Sequence, residues 1–512
     1  MAPALSGPLV RRRQVDAAAD AIVDAAADAV VDVAADAVAG DAHAAAMRAL
    51  ADALDALGYP QLYAGALGGG LFAHDRGVVL GELDGWPGPE RDAVRLLALG
   101  APADRRVLPA ELDPAVTALA AAGLLTVDGT AVRAAGWVVV PALGGHLMTR
   151  PPPGYAHRPG EHSPGTAAVD RLGAGAGGRA YLGPDSLRLA AALPAATGRR
   201  VLDLGAGCGA QGLLACRGAA EAVLVDIEES SLEMAGWNRH LNRVAHPVRI
   251  VAGDLYGPVA GERFDLIVAL PPYVPTAPGA PQSAATGGGP DGLAVLRRVV
   301  GGAAEHLADG GELVALCQLL CRGPVPLLAD ELGSLAPGLA ARLMVGEWYP
   351  LQPYVVDLAT SLVAGTDASA VGLLVDRYRS SLRRLGATGV CTAVLRLRRP
   401  VPGAGVRAVR VVGGRPTVAT DVATRSFGAE LGTDPGWRVA TVAGRRPVAL
   451  DGPTAALLHA VDGRRTIAEA AAAAWGHRPD AEPADLVDQA VRRVDQLRRQ
   501  GLVELAARPG RD

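Results

Sequence analysis

The sequence predicts a doubly wound α/β domain in the middle of the chain, flanked by smaller helical units. Three observations predict it. The run Val201-Leu-Asp-Leu-Gly-Ala-Gly-Cys-Gly209 is an apolar strand ending in an acid and a glycine-rich turn, with a helix opening behind it. Two more apolar strands, Ala222–Asp226 and Val248–Asp254, also close on an acid. A fourth, Phe264–Leu270, runs into Pro271, Pro272 and Tyr273. Apolar strands alternating with helices make a parallel sheet covered on both faces. Such sheets bind ligands outside the carboxyl ends of their strands.

The glycines and acids narrow the ligand. Gly205, Gly207 and Gly209 allow positive φ and leave no Cβ in a ligand's way. A dinucleotide fold would show G-x-G-x-x-G with an acid on the ribose. Here Asp203 stands two residues before the first glycine. A carboxylate there repels a pyrophosphate and attracts a sulfonium-bearing amino acid. The pattern resembles the class I S-adenosylmethionine-dependent methyltransferases. The resemblance implies S-adenosyl-L-methionine as cofactor, its methionine part held by Asp203, Gly205, Ala206, Gly207 and Gly209. Asp226 would accept both ribose hydroxyls, since a carboxylate takes several hydrogen bonds, with Ile227 beside it. Asp254 would meet the adenine amino group and Leu255 would lie beside the ring. No metal is expected.

Tyr181-Leu-Gly-Pro-Asp-Ser186, then Pro271-Pro-Tyr273, then Gly287-Gly-Gly-Pro-Asp-Gly-Leu293 follow in an order that resembles the HemK-type group. That group includes the release-factor glutamine methyltransferases and relatives that methylate exocyclic nitrogens of nucleobases. The resemblance spans roughly residues 180 to 400. It implies that Tyr181 adds to the cofactor site and that Leu270, Pro271, Pro272 and Tyr273 form the catalytic loop. The group's pattern is Asn-Pro-Pro-Tyr, and this chain has Leu270 where the group has Asn. Leucine cannot hydrogen-bond an acceptor amide, a loss of about 1–3 kcal/mol. The Pro271 carbonyl can still accept a bond, and Tyr273 can stack on a planar acceptor.

Three readings therefore stand: transfer to a nitrogen of a protein, peptide or nucleobase; transfer to a small natural product; or a non-catalytic scaffold that keeps the cofactor fold. A neutral nitrogen needs no strong base. A hydroxyl does, and His240, Glu305 and His306 lie in the relevant part of the sequence.

Composition bounds the partners. The chain has 512 residues, room for about three domains. Its net charge of −4 supplies no global field toward nucleic acid. Five cysteines with no C-x-x-C spacing predict reduced thiols in a cytoplasmic protein. No apolar run of about 18 residues predicts a membrane span.

The units follow in order. Residues 1–46 form a leader in which Asp recurs every fourth residue among Ala and Val, from Asp16 to Asp36. Residues 47–148 read as a small winged-helix-like domain: helices at Ala49–Leu57, Pro89–Leu99 and Asp113–Ala122, a hairpin at Leu124–Arg133 on an Asp-Gly turn, and a strand at Gly136–Val140. The third helix carries almost no Lys or Arg, so substrate recognition or packing is expected before DNA binding. Residues 149–180, rich in Pro and Gly, read as a linker or lid. Residues 181–400 form the methyltransferase domain, whose basic helix Arg377–Arg384 reads as a solvated face. Residues 401–444 connect to a module at 445–512, where Thr466-Ile-Ala-Glu469 predicts a capping box. That module resembles the PqqD-like winged helices, which implies peptide binding or packing on a partner enzyme.

Overall fold

The computed structural model describes residues 40–67, 83–151, 180, 182–280, 287–323, 325–363 and 368–400. Beyond these it describes 410–413, 423–425, 429–434, 437–442, 448–450, 452–461, 465–476, 483–499 and 502–505. Tyr181, most of the 1–46 leader and nearly all of the 149–180 linker lie outside the described residues.

The amino-terminal unit opens with helices α1 (Asp41–Ala56), α2 (Tyr59–Leu67) and α3 (Gly88–Leu97). Then come β1 (Ala103–Asp104), α4 (Asp113–Ala121), β2 (Leu125–Asp128), β3 (Ala131–Ala134), β4 (Val138–Ala142) and β5 (Gly145–Thr149). Strands β1, β3 and β2 form a small antiparallel sheet, and β4 pairs with β5. The expected helices and the Asp-Gly hairpin are all present. Trp137 is buried and donates through Nε1 to the Leu124 carbonyl at 2.7 Å, binding the hairpin to the next strand.

The central unit contains α5 (Pro184–Ala192), β6 (Arg200–Leu204), β7 (Glu221–Asp226), α6 (Glu229–Leu241), β8 (Val248–Ala252), β9 (Phe264–Ala269), α7 (Ala294–His306) and β10 (Leu307–Arg322). After them come β11 (Val325–Pro326), α8 (Leu332–Leu335), β12 (Ala340–Pro350), α9 (Leu351–Leu362), α10 (Ala368–Arg384), β13 (Gly389–Arg398) and β14 (Arg410–Gly413). The strands form one mixed sheet in the order β14-β12-β13-β10-β9-β6-β7-β8. Strands β8, β7, β6, β9 and β10 are parallel, and β13 runs antiparallel between β10 and β12. Val201, Leu202, Val223, Leu224, Leu266, Ile267 and Val268 are fully buried, as a sheet covered on both faces requires.

Two features depart from expectation. The sheet reaches past residue 400, since β14 pairs with β12. The helix behind the glycines is a short π-type turn, Ala210–Ala215. Strand β10 is long, 16 residues, and Cys317 and Cys321 sit inside it.

Chain order reverses at β6: β7 and β8 lie on one side of it, β9 and β10 on the other. That is a topological switch point, where the two loops leaving adjacent strands diverge and open a crevice. Leu204 pairs with Ala269, so the glycine loop and the Leu270–Tyr273 loop start side by side.

The amino-terminal unit docks here through α6. Asn238 donates through Nδ2 to the Met148 and Cys208 carbonyls at 2.7 and 2.9 Å and accepts from the Met148 amide. Asn242, one turn on, makes the same reciprocal pair with His146. Two asparagines thus finish the edge of β5 and tie it to the glycine loop.

Further along are β15 (Ala423–Arg425), β16 (Ala429–Asp434), β17 (Trp437–Val442), β18 (Val448–Leu450), α11 (Gly452–Ala460), α12 (Ile467–Trp475), α13 (Pro483–Arg499) and β19 (Val503–Leu505). The helices share their own apolar core, including Leu457, Ile467, Val494 and Leu497. The capping box is formed: Glu469 N donates to Thr466 Oγ1, and Thr466 N donates to the Glu469 carboxylate.

Candidate functional site

The glycine loop is set by backbone bonds from its neighbours. Gly205 and Ala206 amides donate to the Val225 carbonyl at 2.8 and 3.1 Å, and Gly207 N donates to Asp226 Oδ2 at 2.8 Å. Gly205 and Gly207 have φ of +69° and +54°, which only glycine adopts freely. A Cβ built on either meets nothing within 4 Å, so space lies open above both.

Asp203 lies beneath the loop, 2% exposed, accepting from Gly212 N at 2.8 Å. Burial pushes its carboxyl up to about 7, opposed by the Gly212 bond and reinforced by the nearby Asp226 charge. It is therefore an acid that ionises near neutrality and responds to any cation placed above it.

Asp226 ends β7 with both oxygens engaged, one by Gly207 N and the other by Glu228 N at 2.9 Å. Beside it Ile227 is 57% exposed, an apolar surface beside a carboxylate. Past β8, Asp254 pairs with Arg298 at 2.6 Å, and Leu255 has φ +50°. A bulky residue in that region marks a turn held by its surroundings. Tyr256 supplies the hold: its hydroxyl donates to the Val299 carbonyl at 2.7 Å, and its ring stacks on His306 at 4.3 Å.

Across the crevice, Leu270 is half-buried against the same apolar core as Val201 and Leu266, and Pro271 is buried. The Tyr273 hydroxyl donates to Asp185 in the first turn of α5. The loop continues beside the second glycine run: Gly288 N donates to Val274 O and Thr276 N to Gly289 O, both at 2.8 Å. A Cβ on Gly292 would sit 2.3 Å from the Tyr273 carbonyl, so glycine is required there by contact as well as by its φ of +81°. From the far side Arg377 donates to the Gly279 carbonyl at 3.0 Å, and the buried Tyr378 hydroxyl meets the Ala277 backbone. Ala277, Val274, α9 and α10 share one apolar cluster.

The structure thus brings Asp203, Gly205, Ala206, Gly207, Gly209, Asp226 and Ile227 to one side of the crevice and Leu270, Pro271, Pro272 and Tyr273 to the other. Asp254 and Leu255 sit at the end of β8, beyond β7. The residues named for the case of a hydroxyl acceptor lie elsewhere. Glu305 and His306 close α7 just before β10 starts, at the opposite end of the sheet. His240 lies in the last turn of α6, between the two docking asparagines.

Sequence reasoning missed Asp185, Asn238, Asn242 and Gln211; it read Arg377 as solvated, and the side chain is exposed while donating to the Gly279 carbonyl. Two asparagines four apart on an otherwise buried helix face, and a glutamine in Ala210-Gln-Gly-Leu-Leu-Ala215, are the signals that pointed to three of them. Among the described residues no group of His, Cys, Asp and Glu could hold a metal ion.

Residues 179–334 match the Methyltransferase small domain family. A release factor glutamine methyltransferase of Gloeobacter violaceus is 35% identical over 148 residues, 26% of this chain and 51% of that protein. A ribosomal protein uL3 glutamine methyltransferase of Bradyrhizobium diazoefficiens is 38% identical over 125 residues, 22% of this chain and 39% of that protein. The chain spans about half the length of the first of these relatives and less of the second. Among solved structures, the YcgJ protein of Bacillus subtilis aligns at 18% identity with a TM-score of 0.28, over 42% of this chain and 97% of that one.

Proposed function

We propose that the chain is an S-adenosylmethionine-dependent methyltransferase of the HemK type, acting on a nitrogen of a protein, peptide or nucleobase. One observation carries the reading: the glycine loop and the Leu270–Tyr273 loop leave adjacent, registered strands at the switch point. Relatives over this segment are glutamine methyltransferases of a release factor and of a ribosomal protein.

The residues fit the cofactor. Open space over Gly205 and Gly207 admits its methionine chain, the carboxylate of Asp226 at the end of β7 suits a ribose diol, and exposed Ile227 suits an aromatic base. When bound, S-adenosylmethionine supplies a methyl group already activated by a sulfonium. The chain's own residues then need only position and exclude. Asp203 places negative charge below the cationic end. Pro271 and Tyr273 present an acceptor from the opposite wall. In-line placement about 3 Å away supplies most of the rate in such transfers.

Leu270 favours a second acceptor class, a small molecule. Its half-buried apolar side chain offers no amide to a glutamine. The terminal units would recognise the acceptor, the last as a PqqD-like peptide-binding or packing module. Nucleic acid is disfavoured by the charge. The reading places the protein in the cytoplasm, where its five free, buried thiols would stay reduced. No described helix is long and apolar enough to cross a membrane.

Calorimetric titration with S-adenosylmethionine and with NAD tests the cofactor, and transfer of labelled methyl to glutamine peptides tests the acceptor. Binding of NAD alone would end the methyltransferase reading. Glutamine methylation appearing only in Leu270→Asn would assign the wild type another acceptor.

A further inference from the structure

Asn238 is fully buried on α6, and both ends of its amide are engaged. Its Oδ1 accepts from the Met148 amide at 2.7 Å. Its Nδ2 has two hydrogens, and both are used. One goes to the Met148 carbonyl at 2.7 Å, the other to the Cys208 carbonyl at 2.9 Å. A backbone N–H can only donate, so the bond from Met148 fixes which way the amide faces. One side chain thus bonds two segments 90 and 30 residues away along the chain, the end of β5 and the glycine loop.

The Cys208 carbonyl bears on the shape of that loop. A trans peptide plane points its C=O and the following N–H in opposite directions. Asn238 holds the Cys208 carbonyl on one side, and Gly209 N donates to the Ala206 carbonyl at 2.9 Å on the other. The plane that closes the turn from Ala206 to Gly209 is therefore held from both sides. Bonds to β7 fix the first limb of the loop, Gly205 to Gly207. The second limb leans on α6, where a Cβ on Gly209 would lie 3.2 Å from Ala235. The Cys208 thiol also meets the side chain of Thr149, the residue after Met148 on β5. Moving β5 away would leave Asn238 short of two bonds, and a buried amide only partly satisfied is costly. Loop shape and docking are linked through this side chain.

Asn242 is a natural control. One turn on, it makes the same reciprocal pair with His146, and its other donor bond goes to the Asn238 carbonyl at 2.8 Å. Among the described residues it docks β5 in the same way without a bond to the glycine loop.

We propose that Asn238 is a positioning residue for the cofactor: by holding the Cys208 carbonyl and the Met148 backbone at once, it keeps the glycine loop in its binding shape while the amino-terminal unit is docked. The inference rests on the methyltransferase reading. It makes the amino-terminal unit a determinant of cofactor affinity without any contact to the cofactor.

The test compares the full chain with Asn238→Asp and Asn242→Asp. Aspartate has nearly the size of asparagine and keeps the acceptor, but it loses both donor hydrogens at either position. Three quantities are read: thermal unfolding, calorimetric affinity for S-adenosylmethionine, and amide hydrogen exchange of residues 205–209. Both variants should unfold at lower temperature. Asn238→Asp alone should weaken S-adenosylmethionine by about 10-fold, because the binding shape becomes a minor population. It should speed exchange of the loop amides by a similar factor. Asn242→Asp should leave affinity and loop exchange within about twofold. Asn238→Ser, which leaves room for a water, gives the same comparison should Asn238→Asp not fold. Equal losses of affinity in the Asn238 and Asn242 variants would make Asn238 a docking residue only and overturn the proposal. Lower unfolding temperature with unchanged affinity and loop exchange in Asn238→Asp would overturn it too. A wild-type protein that does not bind S-adenosylmethionine would refute the methyltransferase reading and the cofactor part of the inference. The exchange comparison would still decide whether Asn238 sets the loop.

Discussion

The glycine loop after β6 is held by its immediate neighbours, whereas the proline loop after β9 is held by partners 88 and 98 residues away in sequence. Gly205, Ala206 and Gly207 bond to the end of the adjacent strand β7. Tyr273 leans on Asp185 from α5, and the loop beyond it is gripped by Arg377 from a helical hairpin placed between β12 and β13. One wall of the crevice is thus a local motif and the other a convergence of distant segments. A cofactor can be held by a motif that travels intact between proteins. A wall assembled from distant segments can change without disturbing it.

The comparison can be broken at either wall. Asp226→Ala removes the carboxylate that pins Gly207 and Glu228 and would take the ribose. Bonds to a charged group are worth about 1.5–3 kcal/mol each, so S-adenosylmethionine affinity should fall by on the order of 100-fold by calorimetry. A variant that binds normally would show that the loop does not carry the cofactor.

Gly292→Ala tests the other wall. The new Cβ would meet the Tyr273 carbonyl at a positive φ, so thermal unfolding should show a loss of about 1–3 kcal/mol. Cofactor affinity should stay within about threefold of wild type, because the glycine loop has its own supports. A large loss of affinity would mean that the two walls are one unit.

Asp203 sharpens the contrast through pH. Its folded carboxyl sits near 7, well above the usual 3.8, chiefly because it is buried. A bound cation favours the ionised form. Affinity for S-adenosylmethionine should therefore be level above about pH 7 and fall by up to about 10-fold per unit below it. Without ligand the sign reverses. The folded state holds the proton that the unfolded state has released, so this group makes stability decline as pH rises from about 4 to about 7. Asp203→Asn should flatten both profiles; a profile that keeps its slope in that variant would assign the titration elsewhere.

Arg377→Ala carries the smallest expected effect. It removes one bond from an exposed side chain to the Gly279 carbonyl, so stability should change by about 1 kcal/mol or less. Cofactor binding should be unchanged, and transfer to whichever acceptor is found should weaken through KM by roughly threefold to tenfold. A drop confined to kcat would place Arg377 nearer the reacting groups than its contact indicates.

Much of the glycine-loop wall was legible in the sequence. An apolar strand, an acid and alternating glycines dictate a strand, a tight turn and an opening by local sterics, and the bonds that fix the turn reach only the next strand in the chain, 19 residues on from Gly207 to Asp226. The capping box at Thr466 and the Asp-Gly hairpin at Asp128–Gly129 were readable for the same reason. Closeness along the chain is not closeness in space: α7 carries Glu305 and His306 the length of the sheet to its far end, and His306 ends the helix as its sequence context indicates.

Sequence alone therefore determined the alternation of strand and helix, the acids at the strand ends and the backbone freedom of the glycine loop, because these follow from side-chain period and local sterics. Tertiary structure decided the rest. Strand order made β6 and β9 neighbours and so created the crevice. Docking on α6 tied Cys208 to the amino-terminal unit. The α9–α10 hairpin came to lie against Val274–Ala277. Each of these depends on apolar surfaces far apart in the chain being buried together, and that pairing is set only when the whole sheet and its covering helices pack at once.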